Sequence, residues 1–435
     1  MSKYLLSSIS FFTLALREKT LCNRLLLLFV FLSVPQFVAA ASAIKINNNI
    51  YMAQGSSNIS SNTFMVITNQ GAVIIDTSSP AAAPQHYEML KAVSNVPVRY
   101  IIITHGHGDH TGGIELWKES GTHVIAQNNL IELLDYQTRL NGFFAVRNAK
   151  QAGKPIPVVS NPNPGNYAGQ NPADILFDKK YQFTLGELTF QLFSTPGETP
   201  DHLSVWVPEL QAAFVGDNFY NSFPNIYSLR GTKPRWALDY VQSLNKVLSW
   251  KPRLMLPSHG MPVSGNATIT QKLTQYQNAI LYVHDAVVAG MNTGADVFTL
   301  MNSIQLPPEL YVGEAYGRVS WSIRGIYEGY AGWFDANPSS MYSESPQVAL
   351  SELISLANGV DNVIQRAQEI LLSSGDAVLA LHLADAVLAA DANNTDAWTL
   401  RRDALVKLKG LSTNGIEKNW LQSGIDEATE KLNSP

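Results

Sequence analysis

The run Tyr100-Ile101-Ile102-Ile103-Thr104-His105-Gly106-His107-Gly108-Asp109-His110-Thr111-Gly112-Gly113 joins a strand rich in β-branched residues to a loop dense in metal ligands. His105, His107, Asp109 and His110 place four potential metal ligands within six residues, and the intervening glycines let the chain turn tightly enough to aim them at one point. A buried structural histidine needs one hydrogen-bond partner and gains nothing from neighbours of its own kind. Borderline divalent ions such as zinc, in contrast, favour imidazole and carboxylate ligands. The single cysteine of the chain, Cys22, stands near the N-terminus, ahead of an apolar run and without a lipobox. Disulfides, thiolate nucleophiles and cysteine-held zinc are therefore excluded from the folded part of the chain, and a metal there must be held by histidines and carboxylates.

Outward from that run, residues 44–265 alternate short apolar strands with turns and a few helices, which is α/β in character. Residues 73–75 read as a strand ending at Asp76, residues 85–93 as a helix, and residues 180–193 as a hairpin turning near Gly186. Further strands are expected at 203–207, 212–215 and 254–256. Residues 154–172, broken by prolines, glycines and amides, read as a long surface loop, either a passive insertion or a cover over a site.

Three more motifs follow in order: Thr195-Pro196-Gly197-Glu198-Thr199-Pro200-Asp201-His202, Phe214-Val215-Gly216-Asp217 and Pro257-Ser258-His259-Gly260. Together with Asp76 and the HxHxDH-plus-GG loop, they resemble the signature of the metallo-β-lactamase superfamily over roughly residues 44–265. The resemblance implies an αββα sandwich with two metal ions. One would be held by His105, His107 and His202, the other by Asp109, His110 and His259, with Asp217 bridging them. Asp76 would stiffen the ligand loop by hydrogen bonds. Two Zn2+ ions, with Mn2+ or Fe2+ as alternatives, would acidify a bound water to a hydroxide nucleophile that Asp109 could orient. His86, His123, His284 and His382 are read as ordinary structural or surface histidines.

A second likeness lies downstream. Asn225-Ile226-Tyr227-Ser228-Leu229-Arg230-Gly231-Thr232-Lys233 resembles the corresponding segment of secreted alkylsulfatases, and residues 311–338 resemble the start of their α-helical dimerisation domain. Helices are expected at 269–291, 345–372, 377–390, 395–408 and 416–432, with residues 376–410 forming a paired-helix unit of tetratricopeptide type. The fold expected is thus an α/β catalytic domain (41–265) followed by an all-α region (266–435). The likeness implies a hydrolase of alkyl sulfate esters acting as a homodimer. The alternative is another hydrolase of the same fold, a β-lactamase, lactonase or phosphoesterase. Two features depart from alkylsulfatases: His202 and Asp217 stand where those enzymes carry glutamates, and no sterol-carrier-like domain follows the helices. Arg230 is the candidate anion ligand, because a planar guanidinium grips sulfate or carboxylate through several donors. Its alternative is a surface ion pair or a helix-end cap. Tyr227 could add a hydrogen bond or simply pack. The aromatics Trp321, Tyr327, Tyr330, Trp333 and Phe334 could line an apolar channel, with core or interface packing as the other reading.

The N-terminal forty residues carry Lys3, Arg17, Lys19 and Arg24, then the apolar core Leu25-Leu26-Leu27-Leu28-Phe29-Val30-Phe31-Leu32 and the small residues Ala39-Ala40-Ala41. That order reads as a signal peptide (1–40), too short in its apolar core to span a membrane with ease, and implies a periplasmic or secreted product with no stable membrane anchor after cleavage. The chain of 435 residues is 46% apolar and only 15% charged, with a net charge of −5 and no basic run, so it folds around a substantial core and does not read nucleic acid. A metal-binding interaction protein built around the helical region is the reading from outside enzymology. The complete ligand set disfavours it.

Overall fold

The computed structural model describes residues 42–56, 60–158 and 169–434. The signal-peptide expectation falls outside these residues. So does the middle of the long loop expected at 154–172.

Seven strands make the first sheet in sequence order: β1 (Ile44–Lys45), β2 (Ile50–Ala53), β3 (Thr63–Thr68), β4 (Gly71–Ile75), β5 (Val98–Ile102), β6 (His123–Gln127) and β7 (Ile175–Phe177). The first four pair antiparallel, and β4 to β7 pair parallel. Six strands make the second: β8 (Lys180–Leu185), β9 (Leu188–Ser194), β10 (Leu203–Val207), β11 (Ala212–Gly216), β12 (Leu254–Pro257) and β13 (Val263–Ser264). Here only β11 and β12 run parallel, and α6 (Ala237–Ser249) lies between them in sequence. The hairpin expected at 180–193 is β8–β9, paired through Leu185 and Leu188.

Helices α1 (Ala83–Lys91), α2 (Gly108–Thr111), α3 (Ile114–Trp117), α4 (Leu130–Arg139) and α5 (Asn141–Ala152) belong to the first half. After α6 come α7 (Asn266–Asn292), α8 (Val297–Ser303) and α9 (Val319–Ala331), then α10 (Val348–Leu356), α11 (Val360–Ser373), α12 (Ala377–Ala390), α13 (Thr395–Leu411) and α14 (Gly415–Asn433).

The apolar residues divide into three layers, and the division explains the stacking. Ile50, Phe64, Val73 and Ile102 of the first sheet face Phe190, Val205, Phe214 and Leu256 of the second, with Phe64 and Phe214 edge to face at 5.3 Å. The opposite side of the first sheet, Met65, Ile74, Ile101 and Val124, packs with Leu90, Ile114 and Trp117 from α1 and α3. The opposite side of the second, Ala213, Val215 and Met255, packs with residues of α6, α7 and α9, among them Tyr240, Leu273, Ile280 and Ile323. Both central strands β4 and β11 are buried throughout, because each sheet is covered on both faces. The order is helix, sheet, sheet, helix, followed by an all-helical region. Since α7 and α9 cover the second sheet, the helical part of the chain completes the sandwich as well as extending it.

One expected element is corrected. The apolar pattern over 345–372 reads as a single helix, but the chain forms α10 and α11, parted where Asn358 (φ 62°) and Gly359 (φ 104°) take left-handed backbone. Neither conformation can continue a right-handed helix, and the apolar spacing carries on across the break unaltered.

Candidate metal centre

Six of the seven expected ligands lie just beyond the C-terminal ends of β5, β11 and β12, and His202 stands directly before β10. Parallel pairing of β4 with β5, in the register Ile75 to Ile102, sets Asp76 beside the HxHxDH loop. In the second sheet Gly216 pairs with Pro257, which brings Asp217 and His259 side by side. Leu203 donates its backbone N–H to the Thr104 carbonyl at 2.8 Å, so the start of β10, directly after His202, is stitched to the same loop. The two sheets thereby converge on one rim of the sandwich.

On that rim His105 Nε2 and His107 Nδ1 lie 2.9 Å apart. Asp217 Oδ2 is 3.5 Å from His110 Nε2, 3.4 Å from His259 Nε2 and 4.0 Å from His105 Nε2. Asp109 Oδ2 is 3.3 Å from His259 Nε2 and 3.6 Å from His110 Nε2. Two groupings emerge: His105, His110 and Asp217, and Asp109, His110 and His259. The second is the expected triad, and the Asp217 carboxylate of the first also reaches to 3.4 Å from His259 of the second. His202 is placed differently from the expected triad with His105 and His107. Its Nε2 accepts the Asp217 backbone N–H at 3.2 Å, and its ring centroid is 5.5 Å from that of His105.

Asp76 is fully buried and touches no open space. Its carboxylate accepts from the Thr104 N–H and hydroxyl (both 2.9 Å) and the Ser258 hydroxyl (2.7 Å), and pairs with His110 Nδ1 at 2.8 Å. It therefore orients His110 from behind and ties the loop after β5 to the loop after β12. Thr195 does the same for His202, its hydroxyl 3.0 Å from Nδ1. Asp201 accepts the Gly106 N–H at 2.8 Å and steadies the turn between His105 and His107.

The residues fit a divalent cation. His110 Nε2 and Asp217 Oδ1 are buried without a hydrogen-bond partner, a costly state for polar atoms that a coordinated ion resolves. Burial, reinforced by neighbouring positive groups, holds His105 and His107 well below the usual imidazole range, so both offer neutral lone pairs. Burial opposes a proton on His259 too, yet Asp217 and Asp109 push that imidazole up to about 10. His110 is raised in the same way by Asp217, Asp109 and Asp76 against its burial. The carboxylates thus demand positive charge at the same spot, which protons or metal ions can satisfy.

Beside this cluster Arg230 Nη2 lies 3.0 Å from His107 Nε2, while Nη1 reaches Asn148 Oδ1 at 3.5 Å. A fixed cation therefore flanks the ligand set. Tyr227 is partly exposed and backs onto α9, where a side chain at Gly325 would collide with its Cβ at 2.8 Å. Of the downstream aromatics, Tyr330 packs on Trp236 at 5.7 Å and on His284 at 5.9 Å, whereas Trp333 is 79% exposed.

Sequence reasoning passed over Glu198 and Arg235. They form a buried ion pair at 2.6 Å beneath the site, with the Tyr240 hydroxyl donating to Glu198 at 3.1 Å. Burial pushes the Glu198 carboxyl upward against the opposing pull of Arg235. Glu198 lies inside the Thr195–His202 motif, but its partner is fixed only by the fold. Nothing in the local pattern marks Arg147 or Gln151 of α5 either, although both bond to the Arg230 segment: Arg147 donates to the carbonyls of Leu229 and Arg230, and Gln151 accepts the Arg230 N–H.

Residues 58–259 match the metallo-β-lactamase superfamily, and residues 298–431 match the alkyl sulfatase dimerisation domain. The chain joins a metallo-β-lactamase domain to an alkyl sulfatase dimerisation domain. The match to this superfamily implies divalent-metal binding, which the histidine and aspartate clusters fit. Over 393 residues the chain is 28% identical to a linear primary-alkylsulfatase of Pseudomonas sp. (strain ATCC 19151), covering 85% of this chain and 74% of the relative. The alkyl/aryl-sulfatase BDS1 of Saccharomyces cerevisiae is 25% identical, with 86% of this chain and 62% of the relative covered. The chain thus spans between three fifths and three quarters of these relatives' lengths. The solved structure of the stereoselective inverting sec-alkylsulfatase Pisa1 from Pseudomonas sp. superposes with a TM-score of 0.80 at 20% identity, over 91% of this chain and 66% of that one, and shares the fold.

Proposed function

We propose that the protein is a metal-dependent hydrolase that cleaves alkyl sulfate esters. The observation that carries this reading is the Arg230 guanidinium 3.0 Å from His107 at the edge of the ligand cluster. It supplies a planar, permanently charged donor set where the anionic end of a substrate would sit. Similarity to sulfatases along most of the chain supports it further.

In this account His105, His107, Asp109, His110, His202, Asp217 and His259 hold two divalent ions, zinc for preference, because the donor set is imidazole and carboxylate throughout. For His202 this requires its Nε2 to exchange the Asp217 amide for an ion. The ions supply acidified water and Lewis-acid stabilisation of the leaving oxygen. Asp109, partly accessible beside His259, accepts a hydrogen bond from the attacking water and fixes its direction. Arg230 neutralises the sulfate and holds it, and Tyr227 borders the same face. Asp76 keeps His110 oriented through each turnover. The leader sequence supports export to the periplasm or medium, and the dimerisation match supports a homodimer.

Arg230→Ala tests the substrate class. Comparing it with wild type on hexyl sulfate, nitrocefin, a lactone and bis(p-nitrophenyl) phosphate, we expect hexyl sulfate to be the best substrate of wild type. The variant should lose roughly 2 to 4 kcal/mol in kcat/KM for that ester, with its metal content intact. No sulfate release by wild type, together with nitrocefin or lactone turnover indifferent to Arg230, transfers the assignment to another hydrolase of this fold.

A further inference from the structure

The Arg230 segment does not hold itself in place. Its backbone is gripped by α5: Arg147 Nε donates to the Arg230 carbonyl at 2.7 Å, Arg147 Nη2 donates to the Leu229 carbonyl at 2.5 Å, and Gln151 Oε1 accepts the Arg230 N–H at 3.0 Å. The Ser228 hydroxyl donates to the same Gln151 oxygen at 3.3 Å. A planar guanidinium bonded to two successive carbonyls fixes the orientation of the peptide between them, which a single-point contact cannot do.

Helix α5 is itself braced from the far end of the chain. On α14 the Trp420 ring lies 5.6 Å from the Arg147 guanidinium, and Asn419 Nδ2 donates to the Gln151 carbonyl at 2.9 Å. The start of α14 is anchored too, since Asn414 donates to the carbonyls of Glu314 and Tyr316 at 2.8 Å each. That strap lies along the chain that follows Asp217: Phe223 donates to the Gly313 carbonyl at 2.7 Å, and Tyr316 donates its N–H to Ser222 at 3.1 Å. The last helix therefore touches both walls that flank the Asp217-to-Arg230 segment.

We propose that Arg147 and Gln151, backed by Trp420 and Asn419 of α14, are positioning residues that set the Arg230 guanidinium for sulfate, so that the helical module governs anion affinity as well as assembly. This rests on Arg230 as the anion ligand. Arg147 and Gln151 do not meet substrate; they act through the backbone on either side of Arg230.

The test uses the full chain loaded with zinc, reading KM for hexyl sulfate and the inhibition constant of inorganic sulfate. Arg147→Met should raise both by about tenfold, the scale expected when a binding group is misplaced by less than an ångström, with zinc content unchanged. Gln151→Met, a milder change that folds even where Arg147→Met does not, should move both in the same direction by a smaller factor. The deciding arm is the double variant Arg147→Met/Arg230→Ala, which should match Arg230→Ala alone, because a residue that works only through Arg230 has nothing left to position. Additive losses in the double variant, or unchanged constants in Arg147→Met and Gln151→Met while Arg230→Ala is impaired, overturn this inference and leave the proposed function standing. Unchanged constants in Arg230→Ala overturn both.

Discussion

Asp201 accepts the Gly106 N–H with one oxygen, while its other oxygen is buried without a partner. Burial pushes its carboxyl up to about 6, further than the nearby Thr199 hydroxyl and the Gly106 N–H draw it down. A carboxyl whose pKa is higher in the folded state binds its proton more tightly there, so its contribution to stability is full below pH about 4 and is lost as pH rises through about 6. Asp201→Asn keeps an oxygen for Gly106 and removes the charge. In chelator-treated protein the variant should be more stable than wild type at pH 8, by on the order of 2 to 3 kcal/mol, and equal to it near pH 4. Thermal denaturation at the two pH values checks it, and a pH-independent difference would show that packing, not ionisation, governs the site. Residues of this kind explain what local sequence conveys. His105 to His110 declare themselves because four ligands fall within six positions. Arg235 and Glu198 do not, since an ion pair spanning 37 positions is visible only after β9, β10 and the chain beyond Asp217 have been brought together.

At the scale of elements, the centre depends on how strands end. Gly216 closes β11 with φ 53°, and a Cβ there would stand 2.3 Å from His202 Nε2. The turn needs a left-handed residue, and the imidazole needs the space a side chain would fill. Gly216→Ala should therefore displace His202 and the Asp217 carboxylate together. Zinc content should fall below half of wild type in protein that still shows native far-UV circular dichroism. Full metal content in the variant would mean that His202 is not a ligand. Strands were legible because β-branched runs and their polar ends stand out, and all the expected ligands but His202 fall where those runs stop. The break between α10 and α11 was not, because Asn358 and Gly359 interrupt the backbone without disturbing the apolar spacing on either side. The bracing of α5 by α14 was hidden for a different reason: Asn419 and Gln151 are 268 positions apart.

For the molecule as a whole, the outer face of the second sheet is covered by α6 together with α7 and α9, so part of that sheet's cover comes from beyond residue 265. Cutting the chain there uncovers Ala213, Val215 and Met255 and should yield insoluble or metal-poor protein. The intact chain, carrying the dimerisation match at residues 298–431, is expected to be a dimer at micromolar concentration, and light scattering that gives the monomer mass would contradict that assembly. Among the described residues no helix is long and apolar enough to cross a membrane. What the two halves accomplish together is read most directly from sulfate released on incubation with hexyl sulfate, assayed on freshly purified protein, after chelation, and after return of zinc. Release is expected from the first, none from the second and recovery in the third, with about two zinc ions bound per chain at full activity. Release that persists after complete removal of metal, or protein loaded with two zinc ions that frees no sulfate, would contradict it.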